Sequence, residues 1–186
     1  MSWRLALLGI LAAGCLAATS IGFPRTARAQ DVAAMVRGSM ALLRVEAEKM
    51  GVPRIEGVDK LAGKDVPALY FGATKMNNNA ELVDDVVKQS GALTIEVTIY
   101  VKSDDWFVSV ATSTKHSDGS RPTGRKLNPP LGENVVAALS AIRANAAFYG
   151  LVGGLGKFYE AGYEPIRDAA NDVIGIYYVE YFVGVN

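Results

Sequence analysis

The sequence predicts an α+β domain in which an antiparallel sheet of about five to six strands is flanked by helices, with a long helix at the N-terminus. Two segments dense in Val, Ile, Thr and aromatic residues, 92–102 and 106–114, are separated only by Ser103-Asp104-Asp105, which predicts a hairpin. The order of the predicted elements has too few strand–helix–strand crossovers for a doubly wound parallel sheet. A chain of 186 residues, half of them apolar, is long enough for one domain and short for two.

The first predicted element is a helix over residues 31–50, where apolar residues recur at helical spacing until a Gly and a Pro end the pattern. Residues 51–67 carry Gly, Pro and alternating charges with little periodicity, so we expect a loop there. A short strand over 69–74 follows. The next helix, over 80–89, should be capped by Asn77-Asn78-Asn79.

The strand over 92–102 should alternate between two faces of the sheet. Its apolar face is formed by Leu93, Ile95, Val97 and Ile99, and its polar face by Thr94, Glu96, Thr98 and Tyr100. The remaining predicted elements are a helix over 132–145 and strands over 148–152, 158–166 and 173–183. Turn-forming residues fill 167–172, so the last two strands should form a terminal hairpin.

The first 29 residues are typical of a secretory signal peptide. Arg4 precedes an apolar run over residues 5–23, and the small residues of Ala27-Arg28-Ala29 suit a signal peptidase, which predicts cleavage before Gln30. We therefore expect a periplasmic or secreted protein. Two alternatives stay open: the run is nearly long enough to be an uncleaved membrane anchor, and Cys15 lies in a sequence that resembles a lipoprotein site, where it would be lipidated.

Charge and cysteine content exclude several classes of function. The chain has 19 basic and 19 acidic residues, and cleavage before Gln30 would remove three arginines and leave a net charge of −3. Nucleic acid is therefore not an expected partner. Since Cys15 is the only cysteine, the domain after the leader can form neither a disulfide nor a thiolate metal site.

A series of short motifs resembles the Cache domains of the Cache 3/Cache 2 fusion type. The motifs are Leu69-Tyr70-Phe71-Gly72, Thr74-Lys75, Asn77-Asn78-Asn79, Glu81-Leu82-Val83-Asp84, Asp118-Gly119-Ser120-Arg121, Gly124, Tyr149-Gly150, Leu155-Gly156-Lys157, Tyr159, Gly162-Tyr163-Glu164-Pro165-Ile166, Asp168 and Val173-Ile174-Gly175. No single motif is specific, but their order and spacing follow that family over about residues 31–186.

The resemblance implies a stand-alone extracytoplasmic sensor domain with a PAS-like antiparallel sheet that binds a small metabolite such as a carboxylate or an amino acid. No transmembrane segment follows the domain, so we expect signal transduction, of the kind found in chemotaxis, to pass through a membrane-bound receptor or kinase. The chain departs from the family pattern at Asn145-Ala146, where Gly-Lys is usual, and at Phe158, where Pro is usual. Both departures lie near the expected pocket and put its ligand specificity in doubt.

An anionic ligand needs directed donors, because a charge taken from water without a partner costs several kcal/mol. We expect these donors to be Arg121, whose fork can hold a carboxylate through two hydrogen bonds, together with Lys115 and Lys157. The alternative for Arg121 is a surface ion pair with Asp118 or Glu164. For the two lysines the alternative is a solvated charge at a strand end.

Aromatic residues with a polar tip suit a mostly apolar pocket that needs a few hydrogen bonds. The candidate ligand-binding aromatics are Tyr100, Trp106, Tyr149, Tyr159 and Tyr163, for each of which core packing is the alternative. Thr112 is a further candidate. Because it alternates with Thr114 on one strand face, both should line the pocket or neither should.

The sequence offers no catalytic set, so we do not expect an enzyme, and we expect no cofactor and no metal. His116 is the only histidine and is expected to be a loop residue. The alternative to a sensor is a periplasmic structural or interaction module that kept the fold without ligand binding. In that case the N-terminal helix would form a homodimer or partner surface, with Val32, Met35, Val36 and Leu43 facing solvent in the monomer.

Overall fold

The computed structural model describes residues 25–127, 133–154 and 156–185. In chain order the elements are α1 (Arg25–Met50), β1 (Pro53–Leu61), β2 (Lys64–Phe71), β3 (Thr74–Lys75), α2 (Glu81–Ser90), β4 (Ile95–Ser103), β5 (Trp106–Thr112), α3 (Glu133–Arg143), β6 (Phe148–Gly154), β7 (Lys157–Arg167) and β8 (Val173–Val185). The predicted α+β class is confirmed. The apolar part of the predicted leader, with Cys15, lies outside the described residues, whereas the predicted cleavage point at Gln30 falls inside α1.

The main sheet has five antiparallel strands in the order β5-β4-β8-β7-β6. The predicted hairpin between β4 and β5 is confirmed, and Asp104 in its turn has a positive φ of 53°. The terminal hairpin between β7 and β8 is confirmed as well. In its turn the Asp168 carboxylate accepts the backbone N–H groups of Ala170 and Asp172 at 2.9 and 3.0 Å, which closes the connection locally.

A second sheet of three strands, β1-β2-β3, occupies the region where the sequence predicted a loop over 51–67. That prediction was wrong. β1 is exposed along most of its length, so no alternation of apolar residues marks it in the sequence. The turn to β2 is formed by Ala62 and Gly63, both at positive φ, as a tight hairpin turn requires.

Helix α1 packs along one face of the five-stranded sheet. Its buried apolar residues are Val36, Met40, Leu43 and Ala47, spaced four, three and four apart so that they form one stripe. At the centre of this contact the hydroxyls of Ser39 and Tyr181 are hydrogen-bonded at 2.8 Å. The Val32–Leu43 face, which was proposed above as an interface, is therefore mostly buried against the sheet of its own domain. Of its members only Met35, at 43% exposure, lies largely in solvent.

The strand faces follow the predicted alternation. Val97, Ile99 and Val179 are buried on the α1 side of the sheet. The opposite side carries Tyr163 and Tyr178, which pack with α3 residues such as Ile142. One predicted member does not belong to the apolar face, because Leu93 precedes β4 and is fully exposed.

The asparagine run before α2 has two roles. Asn79 accepts the backbone N–H of Glu81 at 3.0 Å, which supports the predicted cap, although the residue at the N-cap position, Ala80, has no side-chain hydrogen bond. Asn77 is buried and holds β2 in place by accepting the N–H of Leu69 and donating to the carbonyl of Pro67. The run thus joins the small sheet to α2.

Candidate functional site

A cleft made of three adjoining cavities of about 550, 360 and 340 Å³ lies over β4. The 360 and 340 Å³ cavities lie on the face of the five-stranded sheet opposite α1, and the 550 Å³ cavity is also lined by Val87 and Ile95, which pack on the α1 side. All three are lined by Glu96, and each pair of cavities shares at least one further residue. The sheet forms the floor, α2 and α3 contribute walls, and residues 113–127, which follow β5, form the remaining side. We call this space the sheet cleft.

Two carboxylates lie side by side on the floor of the sheet cleft. Glu96 on β4 is paired directly with Glu180 on β8 in the antiparallel register. The Glu180 carboxylate accepts a hydrogen bond from the Tyr178 hydroxyl. Glu96 accepts one from Thr98 at 3.4 Å, and Thr98 is joined at 2.8 Å to the hydroxyl of Thr112 on β5. A hydroxyl network therefore holds the two acids in place.

The pKa of Glu180 is raised to about 7, chiefly by burial and to a smaller extent by the negative charge of Glu96, while the hydrogen bond from Tyr178 acts in the opposite direction. Two like charges at directly opposed positions of neighbouring strands repel each other. The Glu180 carboxyl on the floor of the cleft is therefore partly protonated near neutral pH.

The 360 Å³ cavity has an aromatic wall formed by Tyr100, Tyr159, Tyr163 and Tyr178. The ring centroids of Tyr163 and Tyr178 are 4.7 Å apart, and Tyr100 meets Tyr178 edge-on at 6.0 Å. Burial raises the pKa of each of these hydroxyls above its usual value, so they stay protonated and can donate hydrogen bonds. The structure thus brings three predicted aromatics, Tyr100, Tyr159 and Tyr163, into one cavity.

Arg121 is not among the residues that line the three cavities, and its guanidinium is held by other groups of the protein beside the cleft. Its two terminal nitrogens donate to the Asp84 carboxylate at 3.0 and 2.7 Å, and one also donates to the carbonyl of Thr112 at 2.5 Å. Arg121 forms its ion pair with Asp84 on α2 and not with Asp118, whose carboxylate accepts a hydrogen bond from Ser120 within its own turn. The arginine fastens the 113–127 segment to α2, and its predicted ligand contact stays a prediction.

The other polar candidates line the cleft at different depths. Thr112 is buried and, with Thr114, lines the 340 Å³ cavity, so the two threonines do occur together as expected. Lys115 lines the 550 Å³ cavity and Lys157 the 360 Å³ cavity, and both are exposed. These two lysines therefore stand at the rim of the cleft together with the exposed Lys88, Arg125 and Lys126, while Glu96 and Glu180 lie on its floor.

Tyr149 does not face the cleft. It lies on the α1 side of the sheet, where its hydroxyl donates to Glu164, which is also paired with Arg44 of α1 at 3.3 Å. Arg37 covers its ring, with 4.1 Å between the guanidinium carbon and the ring centroid. Its pKa is raised by burial and by Glu164. Tyr149 was expected in the ligand pocket, and the structure places it instead where α1 packs against β7.

Trp106 is also outside the three cavities. It begins β5, is 38% exposed, and is covered by Lys126 at 5.0 Å from the ring centroid. His116 is exposed in the turn after β5, where its backbone N–H donates to the carbonyl of Ser120 at 2.8 Å. Within the described residues, no three His, Cys, Asp or Glu side chains form a group able to hold a metal ion.

Sequence reasoning missed Glu96, Glu180 and Thr98 as site residues. The alternation of β4 did place Glu96 and Thr98 on the polar face, opposite the α1 side. Glu180 carried a signal too, because it is the one charged residue in an otherwise apolar and aromatic strand over 173–185. A lone carboxylate in a buried strand is costly and is therefore a candidate functional group.

Comparison with known families agrees with this architecture. The sequence profile described as the Cache 3/Cache 2 fusion domain matches residues 27–183. The chain belongs to this family. Cache domains are extracytoplasmic sensor and binding domains, and membership is consistent with sensory ligand binding. No curated protein matches the Cache chain at a significant level. None of its described helices combines the length and apolar character needed to cross a bilayer.

Proposed function

We propose that this Cache domain binds an amino-acid-like or other carboxylate metabolite in the sheet cleft and acts as a non-enzymatic sensory module in signal transduction. The observation that carries the proposal is the cleft itself. A space of this size, mostly apolar but with a few convergent hydroxyls and carboxylates, is what a small-molecule site requires. The 360 and 340 Å³ cavities lie on the face of the sheet that α1 does not cover, and the 550 Å³ cavity adjoins them beside α2.

The polar groups are arranged in a way that supports a ligand with two different ends. Lys115 and Lys157 can reach an acidic group at the rim, because both are exposed and line the cavities. The tyrosine wall can cover an apolar middle part. Arg121 contributes indirectly, since its bonds to Asp84 hold the wall in position.

Location and partner form part of the same proposal. The leader sequence is proposed to direct export, with cleavage before Gln30, so that the domain works in the periplasm or outside the cell. The bound state would be communicated to a membrane-bound receptor or kinase. N-terminal sequencing of the protein recovered from the periplasmic fraction tests the export step. A first residue other than Gln30 would refute the proposed cleavage site, and recovery only from the cytoplasm would refute export.

A thermal-shift screen against carboxylates, amino acids and amines tests ligand binding, because a ligand that binds only the native state raises the midpoint of unfolding. Two tyrosines provide a matched pair of variants. Tyr159→Phe alters a hydroxyl in the cleft, and Tyr149→Phe alters one on the opposite face. A shift that is reduced in Tyr159→Phe and kept in Tyr149→Phe is the expected result. A folded protein that no compound stabilises would contradict the proposal.

A further inference from the structure

The floor of the sheet cleft carries a like-charge pair that has no cationic partner among the described residues. Glu96 and Glu180 are directly opposed across β4 and β8, at a separation of roughly 5 Å between Cβ atoms in such pairs. The ion pairs of the described residues all involve other carboxylates, such as those of Asp84 and Glu164. An unneutralised acid pair weakens the fold, so its presence on a cavity floor calls for a reason other than stability.

The surroundings of the pair suit an organic cation. An ammonium group has three N–H donors, and the two carboxylates offer acceptor oxygens on both sides of one position. The rings of Tyr100, Tyr159 and Tyr178 line the same cavity, and the face of an aromatic ring attracts a cation. The exposed Lys157 is the only basic side chain that lines this 360 Å³ cavity among the described residues.

We infer that the sheet cleft selects a ligand that carries a protonated amine, and that this ammonium lies between the carboxylates of Glu96 and Glu180. The inference rests on the proposed function, since it takes the cleft to be the ligand site and adds the chemistry that the site selects. It distinguishes an amino-acid-like ligand or an amine from a plain carboxylate. A plain carboxylate placed in the 360 Å³ cavity would meet two negative charges and, among the described lining residues, one cation, the exposed Lys157, since the other lysines and the arginine of the cleft line the adjoining cavities.

Protons compete with the ammonium for this position. With the pKa of Glu180 near 7, the pair is fully ionised only above neutral pH. Glu96 is the charged group that acts directly on Glu180, and the tyrosines beside it remain protonated. The other charged residues that line the adjoining cavities are Asp84, Lys88 and Lys115 in the 550 Å³ cavity and Arg125 and Lys126 in the 340 Å³ cavity. Amine affinity should fall about tenfold from about pH 8 to about pH 6, where one carboxylate with this pKa becomes mostly protonated.

Four probes with one carbon skeleton test the inference by isothermal titration calorimetry or NMR: n-butylammonium, 4-aminobutyrate, butan-1-ol and butyrate. We expect the two amines to bind more tightly than the alcohol and the acid. Glu96→Gln and Glu180→Gln should each weaken amine binding at about pH 8 by about tenfold or more, because each removes one charge that contacts the ammonium. Glu81→Gln, an exposed acid at the start of α2, is the matched control and should leave affinity unchanged.

Each other outcome has a definite meaning. If butyrate binds and butylammonium does not, or if the alcohol binds as tightly as the amines, the inference is wrong while the proposed sensor function stands. The same holds if none of the four probes binds but the metabolite screen yields ligands without an amine. If no compound in either experiment binds the folded protein, the inference and the proposed function fail together.

Discussion

Replacing Glu180 by glutamine should stabilise the protein at high pH, because the change removes a charge from the cleft floor and keeps a hydrogen-bond acceptor there. The amide oxygen of the new side chain can still accept the hydrogen bond that Tyr178 donates. Glu180 has a pKa of about 7 in the folded protein and an ordinary value of 4.5. Between these two pH values the folded state holds a proton that the unfolded state has released, so the wild type loses stability as the pH rises.

The size of the effect follows from that interval. Each pH unit corresponds to about 1.4 kcal/mol, so the interval between 4.5 and about 7 amounts to about 3 kcal/mol. Below pH 4.5 the wild type and Glu180→Gln should have nearly equal free energies of unfolding. Above about pH 8 the variant should be more stable by up to about 3 kcal/mol, since the wild type then bears the whole cost of burying the charge.

Guanidinium denaturation of both proteins across this pH range, with Glu81→Gln as the exposed control, measures the difference directly. The control should follow the wild type at every pH. Glu96→Gln gives a second check, because loss of the neighbouring charge should lower the pKa of Glu180 and narrow the pH interval. A stability difference between Glu180→Gln and the wild type that does not grow with pH would refute the reasoning, as it would mean that Glu180 is not a buried, repelled carboxylate.

Three further substitutions test how the cleft is supported. Arg121→Ala should reduce the free energy of unfolding by about 1–2 kcal/mol, because a bidentate but partly exposed ion pair with Asp84 is lost. In a double-mutant cycle with Asp84→Ala, the two losses of stability should be less than additive, and full additivity would refute the coupling. Tyr149→Phe should cost about 1 kcal/mol in thermal or chemical unfolding and leave cleft ligands bound as before, so a loss of ligand affinity would show that its placement on the α1 side is wrong. Gly175→Ala should lower the free energy of unfolding by about 3 kcal/mol or more, because an added Cβ would overlap the carbonyl oxygen of Tyr100 on the paired strand. The Cβ added by Gly184→Ala meets open space, so this variant should be about as stable as the wild type. Equal unfolding midpoints for the two variants would contradict the packing.

Local patterns were enough to predict most elements of this domain. The β4–β5 hairpin follows from two β-rich segments and a short polar turn, and the β7–β8 hairpin from the turn formers around Asp168. The alternation in β4 assigned Val97 and Ile99 to one face and Glu96 to the other correctly. In each case the signal lies within a few residues along the chain.

The small sheet was missed because its first strand is solvated. β1 has no buried face over most of its length, so its sequence shows alternating charges instead of alternating apolar residues, and this pattern predicted a loop. What makes it a strand is its pairing with β2, seen in contacts such as that of Asp59 with Val66. The local sequence signal for this hairpin was Gly63, which adopts a positive φ in the turn.

The composition of the site depends on pairings between distant parts of the chain. Glu96 and Glu180 meet only because β4 and β8 are neighbours in the sheet, and nothing local to either residue fixes that register. Arg121 was predicted as a ligand donor from its residue type and motif, but its partner, Asp84, lies 37 positions earlier on α2. Tyr149 was grouped with Tyr159 by proximity in sequence, and strand alternation then placed the two on opposite faces.

Chemical-shift mapping by NMR of the most stabilising compound from the screen tests the central claim most directly. If the sheet cleft is the ligand site, the saturable perturbations will cluster at Thr98, Thr112, Tyr178 and Glu180, which line the cleft or hold its floor, with the residues of α1 unchanged. Perturbations confined to α1 or to the exposed edge strand β1 would contradict the account.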